Sequence, residues 1–129
     1  MYASQLAMRY ASHDLHSIWL GIFMSYRLFI DDLRNPASPG WVVARDSDTA
    51  IKILEARGCP AEISFDHDLG GDDTAISVVR RLVELDLDAG GNYIPSDFQF
   101  SVHSANPVGR ENIQALLGGY LAFRVDKHD

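Results

Sequence analysis

From position 27 onward the apolar residues fall into short runs and stripes whose period switches between two and 3.6. Leu28-Phe29-Ile30 is a short apolar run closed by Asp31-Asp32, which predicts a buried central strand. The chain then turns at Asn35-Pro36 and Pro39-Gly40, too close together for a regular helix between them. Trp41 to Arg45 predicts a second strand. Ser47 or Asp48 is placed to cap a helix through Arg57, with Ala50, Ile51 and Leu54 on its inner side and Gly58 ending it. Ile63-Ser64-Phe65 predicts a third strand, again closed by acids in Asp66-His67-Asp68. Past Gly70-Gly71, Asp72 or Asp73 is expected to cap a helix whose Ala75, Ile76, Val79, Leu82 and Val83 share one face, followed by a loop from Asp88 to Pro95.

Phe98, Phe100 and Val102 alternate with Gln99, Ser101 and His103, the period-two pattern of a strand with one apolar face at a sheet edge. In the last helix Asn106 is a good cap and Pro107 takes the tolerated first position. Ile113, Leu116, Leu117, Tyr120 and Leu121 then make its apolar stripe, and Gly118-Gly119 weakens its final turn. This succession predicts an α/β fold, a flavodoxin-like three-layer sandwich. Its mostly parallel four-stranded sheet, in the order 2-1-3-4 set by right-handed crossovers, is flanked by helices. Ligands of such folds bind outside the carboxyl ends of the strands.

Residues 1 to 26 read differently and form an N-terminal extension to a domain over 27 to 129. Their one hydrophobic run, Ile18 to Met24, is far short of the ~20 residues that cross a bilayer. His13, Asp14 and His16 occupy what would be the basic and apolar regions of a signal peptide. One expectation is that Met24 is the true start and the leader is mis-assigned or disordered. The other is an extra helix docking through Trp19, Leu20 and Phe23.

The chain has 129 residues, 47% of them apolar, enough for one domain that needs neither disulfide nor metal to fold. A net charge of −7 argues against a duplex-binding surface. Cys59 is the only cysteine, as expected in a reducing compartment, and the expected location is the cytoplasm, with no membrane partner. Fourteen of the 18 acids are Asp, which favours loops, caps and metals, and nine of the 11 basic residues are Arg, whose fork suits phosphate oxygens. Genomic base composition would produce the same biases.

The fold rule gathers Asp31-Asp32, Asp66-His67-Asp68 and His103-Ser104 at one edge. Crowded carboxylates repel unless a cation neutralises them, and oxygen-rich donors favour Mg²⁺ or Mn²⁺ over Zn²⁺, with Asp31, Asp32, Asp66 and Asp68 as candidate ligands. Helix and turn capping is the alternative role for these acids, and it is the one expected for Asp72 and Asp73. His67 and His103 come from neighbouring strand ends and would serve as general base and general acid. Arg34, Arg110 and the helix start at Asn106 are placed to bind an anion.

Three blocks, Leu-Phe-Ile-Asp-Asp-Leu-Arg (28 to 34), Ile-Ser-Phe-Asp-His-Asp-Leu-Gly (63 to 70) and Val-His-Ser-Ala-Asn-Pro-Val-Gly (102 to 109), resemble the signature blocks of the cyclic-phosphate-processing receiver-like domains. The resemblance spans about residues 27 to 121. It implies a receiver-like fold and activity on cyclic phosphates such as RNA 2′,3′-cyclic ends. It also implies Mg²⁺ held by Asp31, Asp32 and Asp66, with Asp66 at the phosphoacceptor position and Ser104 at the small hydroxyl position after strand four. The chain departs from ordinary receivers in lacking a fifth strand with its lysine, Lys127 lying near the end, and in carrying His67 and His103.

The function expected is therefore a metal-dependent phosphoesterase acting on a cyclic phosphate of RNA or a nucleotide. Asp66, His67, His103 and Ser104 are its expected catalytic groups, and Arg34, Asn106 and Arg110 its substrate-binding ones. Asp68 would orient His67 or touch the metal through water. Asp66 would attack phosphorus itself or leave that to water. The alternative is a non-catalytic switch or phosphate-binding module with Asp66 as phosphoacceptor.

Overall fold

The computed structural model describes residues 25–128, so both expectations for the N-terminal leader lie outside the described residues. Seven elements follow in order: β1 (Arg27–Ile30), β2 (Trp41–Ala44), α1 (Ser47–Arg57), β3 (Glu62–Phe65), α2 (Ile76–Asp88), β4 (Gln99–Val102) and α3 (Pro107–His128). The four strands form one parallel sheet in the order β2-β1-β3-β4, as the pattern predicts. In register, Ile30 lies beside Ala44 and Phe65, and Phe65 beside Val102. The residues just past Ile30, Phe65 and Val102 therefore emerge together at one edge.

The two crossovers that carry helices, β2 to β3 and β3 to β4, both step across the sheet in the same direction. Right-handed connections then place α1 and α2 on the same face. The β1 to β2 connection steps the other way and would lie over the opposite face, but its prolines leave it without a helix. Accordingly one core joins Leu28, Ile30, Ile63 and Phe65 of the sheet to Leu54 of α1, Val79 and Leu82 of α2, and Ile113 and Leu117 of α3. Phe29, Trp41, Val43 and Ser64, which point to the other face, take no part in it. The receiver-like α/β architecture thus holds. Of the three layers expected, the described residues supply the sheet and the helical layer on one side.

Three details correct the sequence reading. The cap of α1 is Asp46, whose Oδ1 accepts from the Thr49 N–H at 2.7 Å, and not Ser47 or Asp48. Ser47 is committed elsewhere: its N–H and hydroxyl donate to the Asp73 carboxylate at 2.9 and 2.5 Å. Asp73 therefore ties the loop before α2 to the start of α1, and α2 begins after Ala75 with no side-chain cap from Asp72 or Asp73. Finally, α3 runs through Gly118-Gly119 to His128. Two glycines cost a helix about 2 kcal/mol relative to alanine. Tertiary ties beyond them, from Tyr120 and Arg124 to Asp86 on α2, carry the helix on.

Asp46→Ala should lower the melting temperature by about 4 °C, whereas Asp48→Ala, which removes only an exposed pair with Lys52, should shift it less. Thermal denaturation of the two variants checks the assignment, and the opposite ranking would return the cap to Asp48.

Candidate active site at the carboxyl edge of the sheet

Asp31 leaves β1 and is 1% exposed. Its Oδ1 accepts from the backbone N–H groups of Leu33 and Arg34 at 2.9 and 2.7 Å, which folds the chain back in a tight turn. Its Oδ2 accepts from Arg34 Nε at 3.1 Å and from His103 Nε2 at 2.9 Å. Four accepted bonds use the acceptor capacity of a carboxylate. Burial alone would raise this acid's pKa. The two N–H donors, the His103 bond and the Arg34 charge outweigh it and hold the carboxyl below its ordinary range.

His103 follows β4. Its ring stacks on Phe29 with centroids 4.6 Å apart and planes 5° from parallel. Because Nε2–H donates to Asp31, Nδ1 is the acceptor in the neutral ring, and the Ser64 hydroxyl donates to it at 2.7 Å. Both ring nitrogens are spent. Ser64 was not singled out from the sequence. The available signal was a hydroxyl inside an otherwise apolar central strand, facing the same side as Phe29.

Asp66, after β3, is the opposite case. It is 7% exposed, and no hydrogen bond from the described residues reaches its carboxylate; its contact is an ion pair with Arg34 Nη2 at 3.6 Å. No buried side-chain N or O among the described residues lacks a hydrogen-bond partner, so the unbonded oxygens of Asp66 open to solvent. Ligand atoms of Asp31, Asp66 and His103 all lie within 4.8 Å of one another, and Asp32 and Asp68 stand outside that group. Asp32 is half-buried beside Gly70 and also accepts no hydrogen bond among the described residues. A hard divalent cation would thus meet unspent oxygen lone pairs on Asp66 and Asp32, whereas Asp31 spends its own on Leu33, Arg34 and His103, and His103 spends its own on Ser64.

His67 belongs to a second set of contacts. Its Nδ1 donates to Asp68 Oδ1 at 3.0 Å, a bond that holds the Asp68 carboxyl below its ordinary range with help from the Asn106 amide. Asn106 Nδ2 donates to Asp68 Oδ2 at 3.2 Å, and Asn106 Oδ1 caps α3 by accepting from the Gly109 N–H at 3.1 Å. The expected cap is therefore in place. His67 Nε2 has no partner among the described residues and, by the same reasoning as for Asp66, reaches solvent. Of His67 and His103, only His67 has a free ring nitrogen.

Ser104 is 1% exposed, and its hydroxyl oxygen accepts from the Asn106 N–H at 3.1 Å. Arg110 is exposed and donates to the Ser104 carbonyl at 2.7 Å, so its guanidinium braces the loop before α3. Arg45 braces the neighbouring loop by donating to the carbonyls of Asp31 and Arg34 at 3.2 and 2.6 Å, a role the sequence did not announce. Arg34 reaches over the site with a side chain 55% exposed and lies 3.5 Å from the His103 carbonyl. Burial, with a contribution from the Asp86 charge, pushes the Cys59 thiol up to about 12, away from the thiolate form that nucleophilic chemistry uses.

Residues 26–119 match the family model of the cyclic-phosphate processing receiver domain. The chain belongs to this family. The matched span holds every site residue named above and ends inside α3, before Tyr120 and Arg124. No curated protein and no solved structure matches the chain. This receiver domain is thus associated with cyclic-phosphate processing, and no helix among its described residues is long and apolar enough to cross a membrane.

Proposed function

We propose that this domain is a phosphoesterase that opens a cyclic phosphate, the 2′,3′-cyclic end of an RNA or a cyclic nucleotide, in the cytoplasm with Mg²⁺ or Mn²⁺ as cofactor. The observation that carries the reading is the pair of unspent groups on consecutive residues, the Asp66 carboxylate and His67 Nε2, beside the half-exposed guanidinium of Arg34. A single free histidine suits a two-step route. In the first step an Asp66 oxygen attacks phosphorus, the bond from phosphorus to one ribose oxygen breaks, and His67 in its imidazolium form gives that oxygen its proton. In the second, water attacks the same phosphorus, His67 takes the water's proton, and Asp66 leaves as a carboxylate. The product is a phosphomonoester.

Arg34 neutralises the charge that grows on the phosphoryl oxygens, and Asp31 holds its Nε in place for that task. His103 acts through Asp31, since its two nitrogens are already bonded. Ser104 and Arg110 shape the loop that carries Asn106. Asp66 and Asp32 are the residues that would hold the cation, which when bound polarises a non-bridging phosphoryl oxygen.

The test is purified protein with a 2′,3′-cyclic-phosphate oligonucleotide and Mg²⁺ or Mn²⁺, quenched under denaturing conditions. Turnover should vanish with EDTA and in Asp66→Asn, and the quench should hold the oligonucleotide on wild-type protein only. Turnover that survives Asp66→Asn overturns the assignment. Metal-dependent nucleotide binding without turnover, lost in Asp66→Asn, would instead support a switch with Asp66 as phosphoacceptor.

A further inference from the structure

We infer that Gly109, Asn106 and Asp68 form a positioning set for His67, aiming its Nε2 at the reacting phosphate. This rests on the role proposed for His67 above. The contacts close into a ring: the His67 ring donates to Asp68, Asn106 donates to Asp68 and accepts from the Gly109 N–H, and Gly109 lies directly beneath the His67 ring. A Cβ at position 109 would come within 2.7 Å of the ring's Cγ, Nδ1 and Cδ2, closer than real Cβ atoms approach anything. Those distances place the would-be Cβ over the face of the ring at its Cγ end, so the imidazole lies flat on the glycine. The glycine is buried in a helical first turn and has no positive φ, so close approach is what position 109 demands. Neither contact alone fixes the imidazole. The Asp68 bond selects the Nδ1–H tautomer and leaves the lone pair on Nε2, while the bare Cα of Gly109 sets the depth and plane of the ring.

Asn106 separates this role from helix capping. Asn106→Asp still caps α3, since aspartate is as good a cap as asparagine. It replaces the donor to Asp68 Oδ2 by a second carboxylate oxygen and so breaks the ring of contacts. The experiment reads His67 directly, by nitrogen chemical shifts of histidine-labelled full-length protein at a pH where the imidazole is neutral, in wild type, Gly109→Ala and Asn106→Asp. Wild type should show the Nδ1–H tautomer. Both variants should shift towards the mixed population of a free imidazole, with kcat for the cyclic phosphate down about 10²-fold and KM nearly unchanged. Asn106→Asp should stay folded, its melting temperature lowered only by repulsion from the exposed Asp68 carboxylate, which covers the case that Gly109→Ala does not fold.

An Nε2–H tautomer in wild type overturns the inference, as do unchanged His67 signals in Asn106→Asp. Should wild type turn over no cyclic phosphate and yet show the tautomer and its loss, the positioning stands and the reaction proposed above falls.

Discussion

His67→Gln should lower turnover of a 2′,3′-cyclic-phosphate oligonucleotide about 10²–10⁴-fold while leaving the melting temperature close to wild type. Glutamine retains a donor that can reach Asp68 but cannot carry a proton from one step to the next. The side chain it replaces makes one hydrogen bond, to an exposed carboxylate, so little stability goes with it. His103→Gln should behave the other way. It removes the ring stacked on Phe29, the acceptor for the buried Ser64 hydroxyl and one of the four donors to buried Asp31, so it should unfold at lower temperature. Its activity loss should follow from a loosened Arg34 and appear in kcat, but be smaller than that of His67→Gln. Measuring kcat, KM and melting temperature for both variants separates the roles. A His103→Gln protein with wild-type stability and no turnover, beside an active His67→Gln, would move proton transfer to His103 and remove the single-histidine route.

Much of this site is legible in the amino-acid sequence because strand order is a topological consequence of short apolar runs and right-handed crossovers. Asp31, Asp66 and His103 follow strands that the order 2-1-3-4 makes neighbours, and the structure gathers their ligand atoms within 4.8 Å. The cap at Asn106 is legible too, since it depends on residues three apart. What escapes the sequence is how each polar atom is spent. Asp73 bonds Ser47 across 26 residues, Ser64 bonds His103 across 39, and Asp31 bonds His103 across 72, and no local periodicity reports such pairings. That is why two histidines that look equivalent in the chain differ in having, or lacking, a free nitrogen. The one-sided placement of the helices follows from the proline-rich β1 to β2 connection, because the right-handed rule sends that step over the face it leaves without a helix, where three layers were expected.

Asp86→Ala should be the most destabilising single change outside the apolar core, costing about 3–5 kcal/mol. Asp86 is 0% exposed in the last turn of α2, where a negative charge is unfavourable to the helix dipole. It is tolerated because it accepts from the N–H groups of Tyr93 and Ile94 at 3.0 and 2.8 Å, from the Tyr120 hydroxyl at 2.6 Å and from Arg124 Nη1 at 3.3 Å. Truncation strands the Arg124 guanidinium, only 11% exposed, with the Ile94 carbonyl and no counter-charge, and frees the part of α3 beyond its glycine pair. Burial alone would raise the Asp86 pKa; the Ile94 N–H, the Tyr120 hydroxyl, the Arg124 charge and the Tyr93 N–H hold it below the ordinary 3.8. With the folded value depressed, the stability it contributes is complete above 3.8 and is lost as pH falls through the lower folded value. Asp86→Asn, which cannot titrate, should therefore be less stable than wild type at neutral pH, with the gap narrowing in acid. Urea unfolding at neutral pH and near pH 3 measures both, and a gap independent of pH would show that the charge of Asp86 contributes nothing to holding α3 on α2.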